Sequence, residues 1–135
     1  MGPLIEMDES WEDYDQEEER RREEMFPVIE SPSVKAQITG WDTSVSKRKG
    51  TPQIEWTLTI VEDAKYNGKT LIHRTPTVGR GKYVLKAFLE AARAGRSGKG
   101  VDPEAVMGKF VTLSLSVGAT DDGRKFTSID AVSTA

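Results

Sequence analysis

Apolar and polar residues alternate over three stretches of this chain, and over one stretch they recur at helical spacing. Val34, Ala36, Ile38 and Gly40 alternate with Lys35, Gln37, Thr39 and Trp41, the period-2 signature of a strand with one apolar face. Ile54, Trp56, Leu58 and Ile60 alternate with Gln53, Glu55, Thr57 and Thr59, and Val111, Leu113, Leu115 and Val117 with Phe110, Thr112, Ser114 and Ser116. Gly50 and Pro52 break the chain between the first two strands, and Asn67-Gly68 is a tight-turn signal ahead of a third, "KTLIHRT". Asp122-Gly123 predicts a hairpin into a fifth strand, "KFTSIDAVS", whose parity conflicts: Phe126 and Val132 fall on one face, Ile129 and Ala131 on the other.

Between the third and fourth strands, "KYVLKAFLEAARAG" places Val84, Leu85, Phe88, Leu89 and Ala92 on one helical stripe, with Gly95 as its stop. Asp102 and Pro103 are an N-cap and first-turn pair for a second short helix ending at Gly108. Three strands, a helix and two strands is the order of a mainly β, five-stranded OB-like barrel with its helix between the third and fourth strands. A helix packed on an open antiparallel sheet is the competing architecture.

The first 30 residues follow no such pattern. They hold twelve acidic and three basic residues, a balance of −9, whereas residues 31–135 hold sixteen basic and ten acidic, a balance of +6. Carboxylates repelling one another with few apolar groups predict an acidic, disordered arm over 1–30. Within it "EEERRREE" could form a short helix through Glu17–Arg21 and Glu18–Arg22 pairs. Met25, Phe26, Val28 and Ile29 are the first residues with something to bury. A basic domain on an acidic arm suggests a polyanion partner, or an arm that screens a polyanion site.

Several chemistries are excluded or weakened. The chain has no cysteine and one histidine, His73, so thiolate chemistry is absent and a multi-histidine metal site or a Ser-His-Asp arrangement is hard to build. "GRSGKG" lacks the spacing of a phosphate loop. No catalytic residue, metal or cofactor is expected. The absence of a long apolar run and of a signal-like start predicts a soluble cytoplasmic protein, in a host cytoplasm if viral.

Binding is better supported. Sequence-independent single-strand binders combine a cationic groove with aromatic faces for bases. Lys47, Arg48 and Lys49 cluster in the loop between the first two strands, and Arg124 and Lys125 lie at the last hairpin. In OB domains those two loops flank the ligand. Arg74, Arg80 and Lys82 border the third strand and the helix entry. Trp41 lies on an otherwise polar face and reads either as a stacking platform or as a cap on one end of the barrel. Trp56 has core parity. Phe110 is a second stacking candidate, or packs under the short helix. His73 could stack or donate to phosphate, or be an ordinary half-exposed strand histidine.

From Val34 to Val132 the chain resembles a phage-encoded single-stranded-DNA-binding family, formerly a domain of unknown function. The resemblance rests on "YNGKTL" after a strand, then "GKYVLKAFLEAA", then "VDPEAVMGKFVTLSLSV", with Asp102, Gly108 and Lys109 matching the family's entry into its fourth strand. It implies an OB-type fold, single-stranded DNA as ligand, and a role in viral replication or recombination; the acidic arm departs from its pattern. The expected partners are single-stranded DNA and, through the arm, replication or recombination proteins. The alternative function is a protein-interaction adaptor, or a viral structural or inhibitory protein, whose arm folds on its partner.

Overall fold

The computed structural model of the protein describes residues 10–25, 28–47, 49–94 and 100–135, with the backbone alone over 19–25. Helix α1 spans Trp11–Met25; strands β1 and β2 span Ser33–Val45 and Pro52–Val61. Strand β3 (Thr70–Pro76) is followed by helix α2 (Lys82–Ala91), then β4 (Phe110–Ala119) and β5 (Lys125–Thr134). The strands form one antiparallel sheet in the order β3-β2-β1-β4-β5. Among the described residues the sheet is open, with β3 and β5 at its edges, and α2 lies against both edge strands.

The inner face follows the sequence pattern except at Val117, expected inward but 41% exposed where β4 runs beyond the start of β1. Val34, Ala36 and Ile38 of β1, Ile54, Trp56, Leu58 and Ile60 of β2, and Val111, Leu113 and Leu115 of β4 are buried. The stripe of α2 closes over them. Phe88 meets the Trp56 ring at 4.8 Å between centroids, and Leu85, Leu89 and Ala92 are buried beside it. The indole N–H of Trp56 donates to Thr75 Oγ1 at 2.9 Å, and Thr75 is fully buried. That bond satisfies a polar pair whose isolation would cost about 1–3 kcal/mol.

Two bulges decide the parity of the rest. The β1–β2 register shifts between Ile38 and Gly40, so Gly40 pairs with Thr57 and Trp41 with Trp56. Directly opposed residues share a sheet face. Trp41 is thereby on the Trp56 side, not on the polar face that strict alternation predicts. The β4–β5 register shifts between Ser114 and Leu115: Val132 pairs with Leu113 and Ile129 with Leu115. The extra residue, Asp130, lets Ile129 and Val132 both pack on the core, which removes the parity conflict.

The connections also differ in part from expectation. Helix α2 leaves through a Schellman turn, with Arg93 N–H to Glu90 O at 3.0 Å and Ala94 N–H to Leu89 O at 2.9 Å. Arg93, at φ 56°, takes the left-handed position; the expected stop, Gly95, lies outside the described residues. The expected second helix is a single 3-10 turn, Pro103–Val106, capped by Asp102 accepting from Glu104 N–H at 3.1 Å. Gly108 and Lys109 exchange backbone bonds with Ile38, which seats this segment beside β1.

The arm is helical over Trp11–Met25, longer than the short helix expected, and starts with Ser10 Oγ accepting from Asp13 N–H at 3.1 Å. Its described side chains are almost all exposed. Packing into the domain begins just before residue 31: Ile29 is 1% exposed, its N–H donates to Thr127 Oγ1, and Glu30 N–H donates to the Tyr66 hydroxyl. The tyrosine of "YNGKTL" thus anchors the start of the domain. No helix among the described residues is long and apolar enough to cross a membrane.

Candidate nucleic-acid interface

The β1–β2 loop is a compact tip. Ser46 N–H bonds Thr51 O and Gly50 N–H bonds Ser46 O, each at 2.9 Å, and Ser46 Oγ accepts from Thr51 N–H at 3.1 Å. Gly50 turns the chain at φ 63°, a conformation glycine adopts without a Cβ penalty. This turn holds Lys47 and Lys49 exposed at its crest; Arg48 lies outside the described residues.

The β3–α2 connection meets this loop. Thr77 N–H and Oγ1 both bond Pro52 O, at 3.0 and 3.2 Å, tying the end of β3 to the start of β2. Gly79, at φ 69°, opens the 3-10 turn Gly79–Gly81. A Cβ on Gly81 would lie 2.8 Å from the Pro76 ring, so only glycine lets the turn close this tightly. The result is a cleft of about 470 Å³ lined by Ser46, Lys49, Gln53, Pro76 and Arg80 among others. Neither Lys49 nor Arg80 has an ion-pair partner among the described residues.

Lys82, the first residue of α2, lines a second cavity of about 830 Å³ with Thr43, Ile54 and Leu89. Trp41 stands beside that region, 39% exposed, its indole N–H donating to Glu104 Oε1 at 2.8 Å. Of its two sequence readings, this bond and the shared face with Trp56 favour the cap on one end of the sheet.

The other candidates separate from this cluster. Arg74 is on the outer face, bonded through Nε to Glu55 Oε1 at 3.2 Å; Ser44 Oγ donates to the same oxygen at 2.9 Å. His73 pairs with Trp56 on the inner face and lies 5.5 Å from the Phe88 ring. Burial lowers its pKa from 6.5 to about 4, so the imidazole is neutral near pH 7. It is half-buried in its strand and packs against α2, and a neutral imidazole brings no charge to a phosphate.

Arg124 and Lys125 sit at the β4–β5 turn, beyond the opposite end of β1 from Lys47. Arg124 Nε contacts Asp122 Oδ2 at 3.2 Å. The Thr120 hydroxyl donates to the Asp122 carboxylate, which, with the Arg124 N–H and charge, holds that carboxyl below its usual range. Phe110 is exposed on the outer face opposite Gln37, with Lys35 Nζ 5.1 Å from its ring centroid. It does not pack beneath the short turn.

Sequence reasoning passed over Phe126. Its ring lies over Gly118, where a Cβ would come within 2.5 Å of Cζ, and it stays 42% exposed. The signal was available, since an aromatic cross-strand from a glycine covers bare backbone, but it required the β4–β5 register.

Among the described residues no three histidine or carboxylate side chains gather to hold a metal ion. Set against known proteins, the chain matches no family model and no curated protein.

Proposed function

We propose that the protein is a non-enzymatic single-stranded DNA-binding protein with little sequence preference, acting in DNA replication or recombination, and that its domain is an OB-type barrel left open between β3 and β5. The strand order, with α2 between β3 and β4 and against both edges, fits that fold. The observation that carries the functional reading is the cleft in which Lys49 and Arg80, from two different connections, stand without carboxylate partners among the described residues. Lys47 and Lys82 extend the same end of the sheet. Cations left unpaired around a concave surface attract a polyanion, and a flexible single strand can follow a groove that a duplex cannot enter. The resemblance to the phage family points the same way.

The test is a titration of fluorescent single-stranded and duplex oligonucleotides at two salt concentrations. Engagement of about four phosphates gives a log-affinity slope of roughly −3 against log salt for single strands. The double charge reversal Lys49→Glu/Arg80→Glu should weaken binding by more than about tenfold at low salt, since each lost phosphate contact is replaced by repulsion. Wild-type affinity in that variant removes the cleft from the interface.

A protein-interaction adaptor is the second reading, favoured by the exposed Trp11 and Tyr14 on α1. It predicts negligible oligonucleotide affinity even at low salt.

A further inference from the structure

A cavity of about 830 Å³ lies between α2 and the β1–β2 end of the sheet. Its volume is within the roughly 300–1,000 Å³ usual for a site that takes a small apolar body. Its floor is Ile54, Leu85 and Leu89; its rim carries Lys82, Tyr83 and Lys86. Lys82 has no ion pair among the described residues, and Lys86 has only a 4.0 Å contact with Glu90 on its own helix. An apolar floor inside a lysine rim fits an acidic segment with aromatic anchors.

Helix α1 is such a segment. Trp11 and Tyr14, at i and i+3, share one helix face; they meet edge to face at 6.0 Å and are 68% and 40% exposed. Glu12, Asp13 and Asp15 flank them. An indole left in water on an otherwise polar helix marks a surface that has a partner elsewhere.

We infer that α1 docks in this cavity of its own chain, with Trp11 and Tyr14 on the apolar floor and the neighbouring carboxylates against Lys82 and Lys86. The reach allows it. The 15-residue helix is about 22 Å long, and residues 26–29 can span at most roughly 14 Å. Trp11 can therefore lie about 35 Å from Ile29, which is fixed at Thr127. Ile29 lies four residues before Ser33, so a straight path from it to Thr43 would be about 46 Å, but a compact domain of about 100 residues is only roughly 33 Å across, and the bulge and coiling of β1 bring the direct path within reach. Tethering makes the partner's effective concentration millimolar in order of magnitude, so weak contacts suffice in the same chain where they would fail between molecules. This docked state goes beyond the nucleic-acid reading and does not depend on it.

The chain has no cysteine, so Gln16→Cys gives the full-length protein a single site for a nitroxide label on α1. Amide signals of Leu85 to Leu89 and of Ile54 should broaden at low salt and recover at high salt, as screening shortens to a few ångströms. The broadening should vanish in Trp11→Ser/Tyr14→Ser and in Lys82→Glu/Lys86→Glu, while β4–β5 signals stay unchanged as the control for folding. Absence of broadening in the labelled parent overturns the inference, as does broadening that survives loss of both aromatics. Broadening seen only when labelled chain is mixed with unlabelled, isotope-enriched chain assigns the cavity to a second copy and equally overturns docking within one chain.

Discussion

Both ends of the sheet carry basic residues, and they handle them differently. At the β1–β2 end, Lys49 and Arg80 come from separate connections and line one cleft with no carboxylate among the described residues paired to either. At the β4–β5 end, Arg124 is matched by Asp122 two residues away, Asp121 lies in the same turn, and Lys125 has no ion pair among the described residues. The first end has an interior beneath it, where α2 sets Phe88 on Trp56 and His73. The second runs beyond the start of β1 as a two-stranded ribbon, with the Phe126 ring over Gly118. Loop position in the sequence puts basic residues at both ends, five at the first (Lys47, Arg48, Lys49, Arg80 and Lys82) and two at the second (Arg124 and Lys125). What separates them is whether the local turn supplies its own counter-charge.

The largest effect expected from this contrast is on acid stability, and it belongs to the first end. His73 titrates near 6.5 in the unfolded chain and at about 4 in the fold. Between those values the unfolded state binds the extra proton, so stability is present above pH 6.5 and falls as pH drops toward 4, by roughly 3 kcal/mol in all. Urea unfolding at pH 7 and at pH 4.5 should show this loss in the parent and much less of it in His73→Leu. Equal losses in the two proteins would assign the acid sensitivity elsewhere.

A smaller effect tests the ribbon. Gly118→Ala puts a Cβ where the Phe126 ring lies. The ring must swing into water, and thermal denaturation should register a cost of roughly 1 kcal/mol. No change in melting temperature would mean that the ring contributes nothing to the hairpin.

The smallest effect sharpens the comparison itself. Arg124→Ala removes an exposed ion pair, which contributes about 0–1 kcal/mol. Its influence on oligonucleotide affinity should be under about threefold, against more than tenfold for reversal of Lys49 and Arg80. Comparable losses from the two ends would abolish the distinction.

How much of this was legible depended on whether the information was local. β2 alternates without a break, and its four inward residues are all buried. The α2 stripe is likewise complete within ten residues. Trp41 was not legible, because one unpaired residue after Ile38 reverses every later side chain of β1. The glycine of "ITGW" is a bulge signal, but only pairing with β2 placed the unpaired residue at Thr39. The fifth strand did betray its bulge, since Ile129 and Val132 cannot both face inward in a regular strand; only pairing with β4 placed the extra residue at Asp130.

Periodicity and charge by themselves determined the element order, the inward faces of β1 up to Ile38, of β2, and of β4 up to Leu115, the hairpin at Gly123 and the split between an acidic arm and a basic domain. Those properties are set by neighbours within a few residues, which is the range over which backbone preference and amphipathic spacing act. Tertiary structure alone decided that His73 lies against Phe88, that Arg74 and Arg124 are matched by carboxylates, and that Lys49 shares a cleft with Arg80. Each depends on groups brought together from distant parts of the chain or across a turn, and a charge or an imidazole takes its character from what surrounds it in space.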